Sequence, residues 1–244
     1  MTKPTKSSGD RRGSARDSEP LPDVQEVLTS LKELATEAAL AGMARYAIPS
    51  DKAFGVAMRD VQALAKRLGR SHELAERLWV TGWYEARLLA TYVDDPASVT
   101  PEQMDRWCDD FDNWAVCDTV CFALFDRTPH AWSKVEQWAP REEEYTKRAA
   151  FALLWGLTVH DKRASDEQFQ RALRWVEEAA TDERHFVKKA VNMALRATGK
   201  RNQALHRAAL EVAGRLAASR NPASRWIGKD AQRELSSPAV AGRF

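Results

Sequence analysis

Asp118 is the residue whose surroundings most need a chemical explanation. Read as a helix of about 3.6 residues per turn, Phe111-Asp112-Asn113-Trp114-Ala115-Val116-Cys117-Asp118-Thr119-Val120-Cys121-Phe122 sets Trp114, Asp118, Cys121 and Phe125 on one face. That face should be buried, and a carboxylate among a Trp, a Phe and a Cys costs free energy unless it is paired or used. If it is used, Trp114, one turn earlier, could hold an aromatic or sugar surface against the acid. If it is paired, an arginine should lie opposite. Arg148 is the candidate, because it opens Lys147-Arg148-Ala149-Ala150-Phe151-Ala152-Leu153-Leu154-Trp155 on the side carrying Phe151 and Trp155. A cation there calls for a carboxylate or a phosphate.

A second feature is electrostatic. From Arg184 to Arg207 the chain carries Arg184, Lys188, Lys189, Arg196, Lys200, Arg201 and Arg207 and no acid. On a helical wheel Lys188, Lys189, Asn192 and Arg196 form one polar stripe, with Phe186, Val187, Ala190, Val191 and Ala194 on the other side. Met193 lies on the border and is read as core. A one-signed stripe beside an apolar face suits a phosphate backbone, and a solvated face is the competing reading. Asp94 to Asp118 is the opposite, with eight acids against Arg106 alone. An acidic block repels DNA, so a DNA groove would need most of these acids turned outward.

Other chemistries find little support. His130, His160, His185 and His206 stand singly, without metal or triad spacing. Cys108, Cys117 and Cys121 read as free thiols, and no His lies near enough in sequence to complete a metal site. No phosphate-binding glycine loop, H-E-x-x-H or G-x-S-x-G occurs, so neither a nucleotide cofactor nor a metal is expected.

The elements that must position these residues are helical throughout. Residues 1 to 20 are polar and read as a disordered tail. From residue 21 to 244 one helical domain is expected, with helices over Val24–Leu34, Ala53–Leu68, Ser71–Trp79, Trp83–Val93 and from Thr100-Pro101-Glu102, a capped start. The Trp114 helix follows, then His130–Trp138, Glu142–His160 and Phe169–Ala180 behind a Ser165/Gln168 capping box. Glu183–Thr198, Asn202–Ala218 and a last helix capped by Asn221-Pro222 complete about twelve. No strand alternation appears. Successive antiparallel pairs imply an all-α solenoid with a concave surface, and a compact orthogonal bundle is the alternative. The repeats are unlike at sequence level, so the period rests on helix lengths. With 44% hydrophobic and 30% charged residues and a net charge of +2, the 244-residue chain reads as an ordinary soluble protein. No apolar run approaches the roughly 20 residues of a membrane span, and a cytoplasmic location is expected.

The order of five segments resembles the DNA alkylation repair family, HEAT-like-repeat DNA glycosylases of the AlkD type. They are LWVTGWYEARLLATYVDDP, FDNWAVCDTV, KRAAFALLWGL, HFVKKAVNMALRATGKRN and ASRWIGKDAQREL, and the likeness runs from about residue 25 to 235. It implies a HEAT-like fold with a basic concave groove, acting as a monomer on double-stranded DNA carrying alkylated purines. The implied activity is hydrolysis of the N-glycosidic bond of purines alkylated at N3 or N7. Such a purine is cationic and already a good leaving group, so the enzyme has mainly to stabilise a positive sugar. The family's catalytic Asp falls on Asp118 and its companion Trp on Trp114. Its active-site Arg falls on Arg148, with Lys147 as the neighbouring match. The basic helix supplies Lys188, Lys189, Arg196, Lys200 and Arg201 as DNA contacts. The family leaves the lesion in or near the base stack, so no deep base pocket is implied. One departure stands out. Met193 occupies the place of a second Trp of the family pattern, which leaves half of an aromatic clamp to a thioether. The alternatives are a helical-repeat DNA-binding or scaffold protein with weak or no catalysis, and a solenoid that binds proteins.

Overall fold

The computed structural model describes residues 22–244; the tail expected over residues 1–20 lies outside them. Fourteen α-helices follow one another, with no strand among the described residues. They are α1 (Val24–Glu33), α2 (Glu37–Met43), α3 (Met58–Leu68), α4 (His72–Trp79), α5 (Tyr84–Val93), α6 (Pro101–Asp109), α7 (Trp114–Ala123), α8 (Ala131–Trp138), α9 (Glu144–His160), α10 (Asp166–Ala179), α11 (His185–Thr198), α12 (Gln203–Ala217), α13 (Pro222–Leu235) and α14 (Pro238–Ala241). Two 3-10 turns, Ala44–Tyr46 and Phe125–Arg127, complete the order.

The start signals work as their chemistry requires. Thr100 accepts from the Gln103 N–H at 3.1 Å with Pro101 opening α6. Asn113 accepts from the N–H groups of Ala115 and Val116, both at 3.0 Å, which fixes where α7 begins and so where Asp118 points. The Ser165/Gln168 capping box opens α10.

The sequence reading differs from the structure near the N-terminal end. The helix expected over Ala53–Leu68 starts only at Met58. The N–H groups of Phe54, Gly55 and Val56 converge instead on the carboxylate of Glu85, at 2.9, 2.8 and 3.1 Å. Glu85 is wholly buried, so these three bonds are what make its burial tolerable. Gly55 holds φ at 84°, and a Cβ there would meet Thr36 O at 2.7 Å. Helix α2 was not expected; only Met43 of its seven residues is buried, so it carries almost no apolar stripe to read.

Packing follows a repeat. Helices α5, α7, α9, α11 and α13 each pack on the next, while α4, α8, α10 and α12 pair with α5, α9, α11 and α13. Long helices stacked this way bury a continuous core from Val24 to Val240. The longest, α9, is buried along most of its length, as its apolar run requires.

Glu102, Asp105, Asp109, Asp110 and Asp112 of the acidic block are exposed, as a DNA groove elsewhere would need, but several are also anchors. Asp110 accepts the indole N–H of Trp79 at 2.8 Å, and Asp105 that of Trp138 at 3.0 Å. Asp94 is fully buried and is bonded by Gln103 and His72.

Candidate active site

Asp118 lies on α7 with its side chain 15% exposed, and Arg148 lies opposite on α9 at 6%. The guanidinium donates to both carboxylate oxygens, Nε to Oδ1 at 2.8 Å and Nη2 to Oδ2 at 2.6 Å. Its remaining nitrogen, Nη1, donates to the carbonyl of Phe186 in the first turn of α11 at 2.6 Å. One side chain therefore ties three successive helices of the layer. Burial pushes the Asp118 carboxyl above its usual range, against the pull of the Arg148 charge. Burial likewise works against the Arg148 cation, and the Asp118 carboxylate more than offsets it. An acceptor-only carboxylate is the state that this two-pronged bond requires.

Trp114, one turn before Asp118, is half-buried. Its indole N–H donates to the carbonyl of Tyr46 at 2.7 Å, and the Arg148 guanidinium stands 5.9 Å from its ring centre. Phe186 places its ring at the same 5.9 Å from Arg148. A cavity of about 400 Å3 opens over this cluster, lined by Arg45, Tyr46, Trp114, Arg148, His185 and Lys189 among others. Asp118 is not among its lining residues; the Asp118 carboxylate is held by Arg148, which is. The other half of the predicted apolar face behaves as core, with Cys121 and Phe125 fully buried.

The predicted cations divide. Lys188 and Lys189 of α11 hold their ammonium groups 5.3 and 5.1 Å from the ring of Trp226 on α13. Arg196 and Lys200 both pair with Glu234 of α13, and Arg196 lies 3.6 Å from Asp230. Asn192, on the same stripe, donates to Asp230 at 2.7 Å. The stripe that has one sign in sequence thus meets acids from the next helix. Lys147 is buried and faces Asp182 at 3.4 Å and Glu142 at 3.8 Å. Arg201 caps the end of α9, donating to the carbonyls of Thr158 at 2.9 Å and Asp161 at 2.7 Å. Met193 is half-buried and lines a second cavity with Trp155.

The structure adds Arg45, Tyr46, His185 and Phe186 to this site. No local pattern marked Arg45 and Tyr46; they arrive through the turn after α2, whose own helical signal was too weak to read. His185 and Phe186 were visible only as the start of the basic helix.

A family model described as a DNA alkylation repair enzyme matches residues 27–235. The chain belongs to that family. Comparison with curated proteins gives no match. Among solved structures, one has a TM-score of 0.74 at 24% identity, covering 88% of this chain and 96% of that chain. It is described as a new family of proteins related to the HEAT-like repeat DNA glycosylases with affinity for branched DNA structures. At this identity the likeness is one of fold, and the fold of this DNA alkylation repair family member is therefore all-helical and HEAT-like.

Proposed function

We infer that this protein hydrolyses the N-glycosidic bond of N3- or N7-alkylated purines in duplex DNA. The observation that carries the reading is the Asp118–Arg148 pair beside Trp114, with Arg148 and Trp114 lining an open cavity. Alkylation makes the purine cationic, so it leaves as a neutral base and the deoxyribose becomes positive at C1′. Asp118, kept ionised and fixed in direction by Arg148, supplies the compensating charge as the bond breaks. Trp114 packs against the sugar. Water then adds at C1′ on the open side, and its surplus proton goes to the carboxylate or to solvent, as in glycoside hydrolysis. Arg148 also has a second role. A phosphate drawn to its guanidinium would loosen its grip on Asp118 at the moment the sugar needs that charge.

The duplex approaches along α11. Lys188 and Lys189 contact phosphates, and Met193 lies against the next sugar. Arg196, Lys200 and Lys147 add less net charge, because carboxylates pair with them, and Arg201 keeps its charge but spends its N–H groups on backbone carbonyls. The protein acts as a monomer and needs no cofactor, since the leaving group is activated by its own charge.

A second reading is a DNA-binding protein of the same family without hydrolysis. Two observations favour it: both Asp118 oxygens are occupied by Arg148, and Met193 offers no ring. The test is free base released from duplex carrying 7-methylguanine or 3-methyladenine. Release by the wild type that collapses in Asp118→Asn supports the enzyme, and wild-type release equal to buffer leaves the DNA-binding reading.

A further inference from the structure

The second cavity, about 490 Å3, is lined by Trp155, Lys162, Met193, Arg196, Lys200 and Arg201. Its floor and rim differ in kind. Trp155 is a half-buried aromatic plate that packs on Phe122, with ring centres 4.3 Å and planes 32° apart, and Met193 is a soft apolar wall. Of the rim cations, Arg196 and Lys200 pair with Glu234 and Arg201 is tied to backbone carbonyls, whereas Lys162 is exposed and enters no ion pair among the described residues. The volume falls within the roughly 300–1,000 Å3 of small-ligand pockets.

Its position is set by two helices shared with the Asp118 site. Trp155 follows Arg148 by seven residues on α9, two turns or about 10 Å. Met193 follows Lys189 by four residues on α11, one turn or about 6 Å. The cavity therefore opens one to two helix turns along α9 and α11 from the Asp118 site.

We propose that this cavity receives an unpaired nucleotide of the bound DNA, its base face on Trp155 and its phosphate at Lys162. A base inside an intact duplex has both faces covered by its neighbours and shows only its edges. An aromatic plate can therefore be used only by a base freed from the stack, and a cationic rim around an apolar floor matches a nucleotide's flat ring and anionic phosphate. The consequence is a preference for DNA with a bulge or flap near the lesion. The proposal rests on the chain binding DNA along α11.

The experiment compares anisotropy binding of two labelled duplexes, identical except for one unpaired thymidine in the second. The wild type should bind the bulged duplex roughly tenfold more tightly, the range of one base–aromatic stack. Trp155→Leu should bring that ratio to about one, Trp155→Phe should keep most of it, and Lys162→Glu should lower it. Equal wild-type affinity for both duplexes overturns the proposal and leaves the α11 groove standing. So does a ratio that Trp155→Leu does not change. Binding of neither duplex overturns both.

Discussion

Arg148 stands 30 residues after Asp118 and 38 before Phe186, and its guanidinium bonds to both. The same step of 38 separates Asn192 from Asp230 and Arg196 from Glu234. The repeat is therefore written in polar contacts across the helix layer rather than in recurring residues. The Asp118–Arg148 pair at its centre thus has a structural part beside the chemical one proposed for it.

The structural part can be measured. Arg148→Ala leaves Asp118 buried without its cation and should lower urea-unfolding stability by about 3 kcal/mol, the usual cost of breaking a buried pair. Asp118→Asn should cost less, because a neutral amide oxygen still accepts one N–H, and it should nevertheless lose base release. Wild-type stability in Arg148→Ala would mean that water reaches the pair, and the argument for a preset carboxylate would fail.

The cations of α11 should differ in what they give to DNA. Lys188→Ala and Lys189→Ala should each reduce the slope of log affinity against log salt by about 0.9, the value for one phosphate contact. Lys147→Ala should leave the slope unchanged, because its ammonium group faces Asp182 and Glu142. An unchanged slope for Lys188→Ala and Lys189→Ala would move the DNA path off α11.

How much of this was legible in the sequence depends on the range of the contact. Helix α1 and the helices from α3 to α13 follow from periodicity and caps, whereas the short α14 does not, and the Asp118–Arg148 pair follows from a charge stranded on each of two apolar faces. Partners set by the repeat step were not legible. Asp230 and Glu234 are two acids on an otherwise basic helix, and nothing local says they meet Asn192, Arg196 and Lys200. The acidic block faces outward for the most part, as expected, but its sequence does not show that Asp105 and Asp110 also accept indole N–H groups about 30 residues away. Buried Trp needs such acceptors, but where in the chain they lie is set by the packing of the helices and not by any local pattern.

Met193 gives a test of the sugar clamp. It is half-buried beside a cavity of about 490 Å3, so a larger side chain has room to turn outward. Met193→Trp would set a ring against the sugar next to the lesion and hold the strand in place, worth about 1 kcal/mol or roughly fivefold in the rate of base release. An unchanged rate would show that the sugar does not pass this residue.

Asp126 offers a pH test independent of DNA. Its side chain is fully buried between the Phe125–Arg127 turn and α9, so close that a Cβ on Gly156 would meet its carboxylate at 2.6 Å. Burial pushes its pKa up to about 6, despite a hydrogen bond from His160 and the nearby charge of Arg127. In the unfolded chain the value is about 3.9. Between these limits the folded protein holds the extra proton, so stability must fall as pH rises from about 4 to 6 and level off above. The loss should be about 3 kcal/mol at about 1.4 kcal/mol per unit. Asp126→Asn has no proton to lose and should flatten this part of the curve in urea unfolding followed across pH. His160 holds the value down, so His160→Ala should move the falling limb to higher pH. A limb that is identical in wild type and Asp126→Asn would mean that another group titrates there and that Asp126 is ionised without penalty.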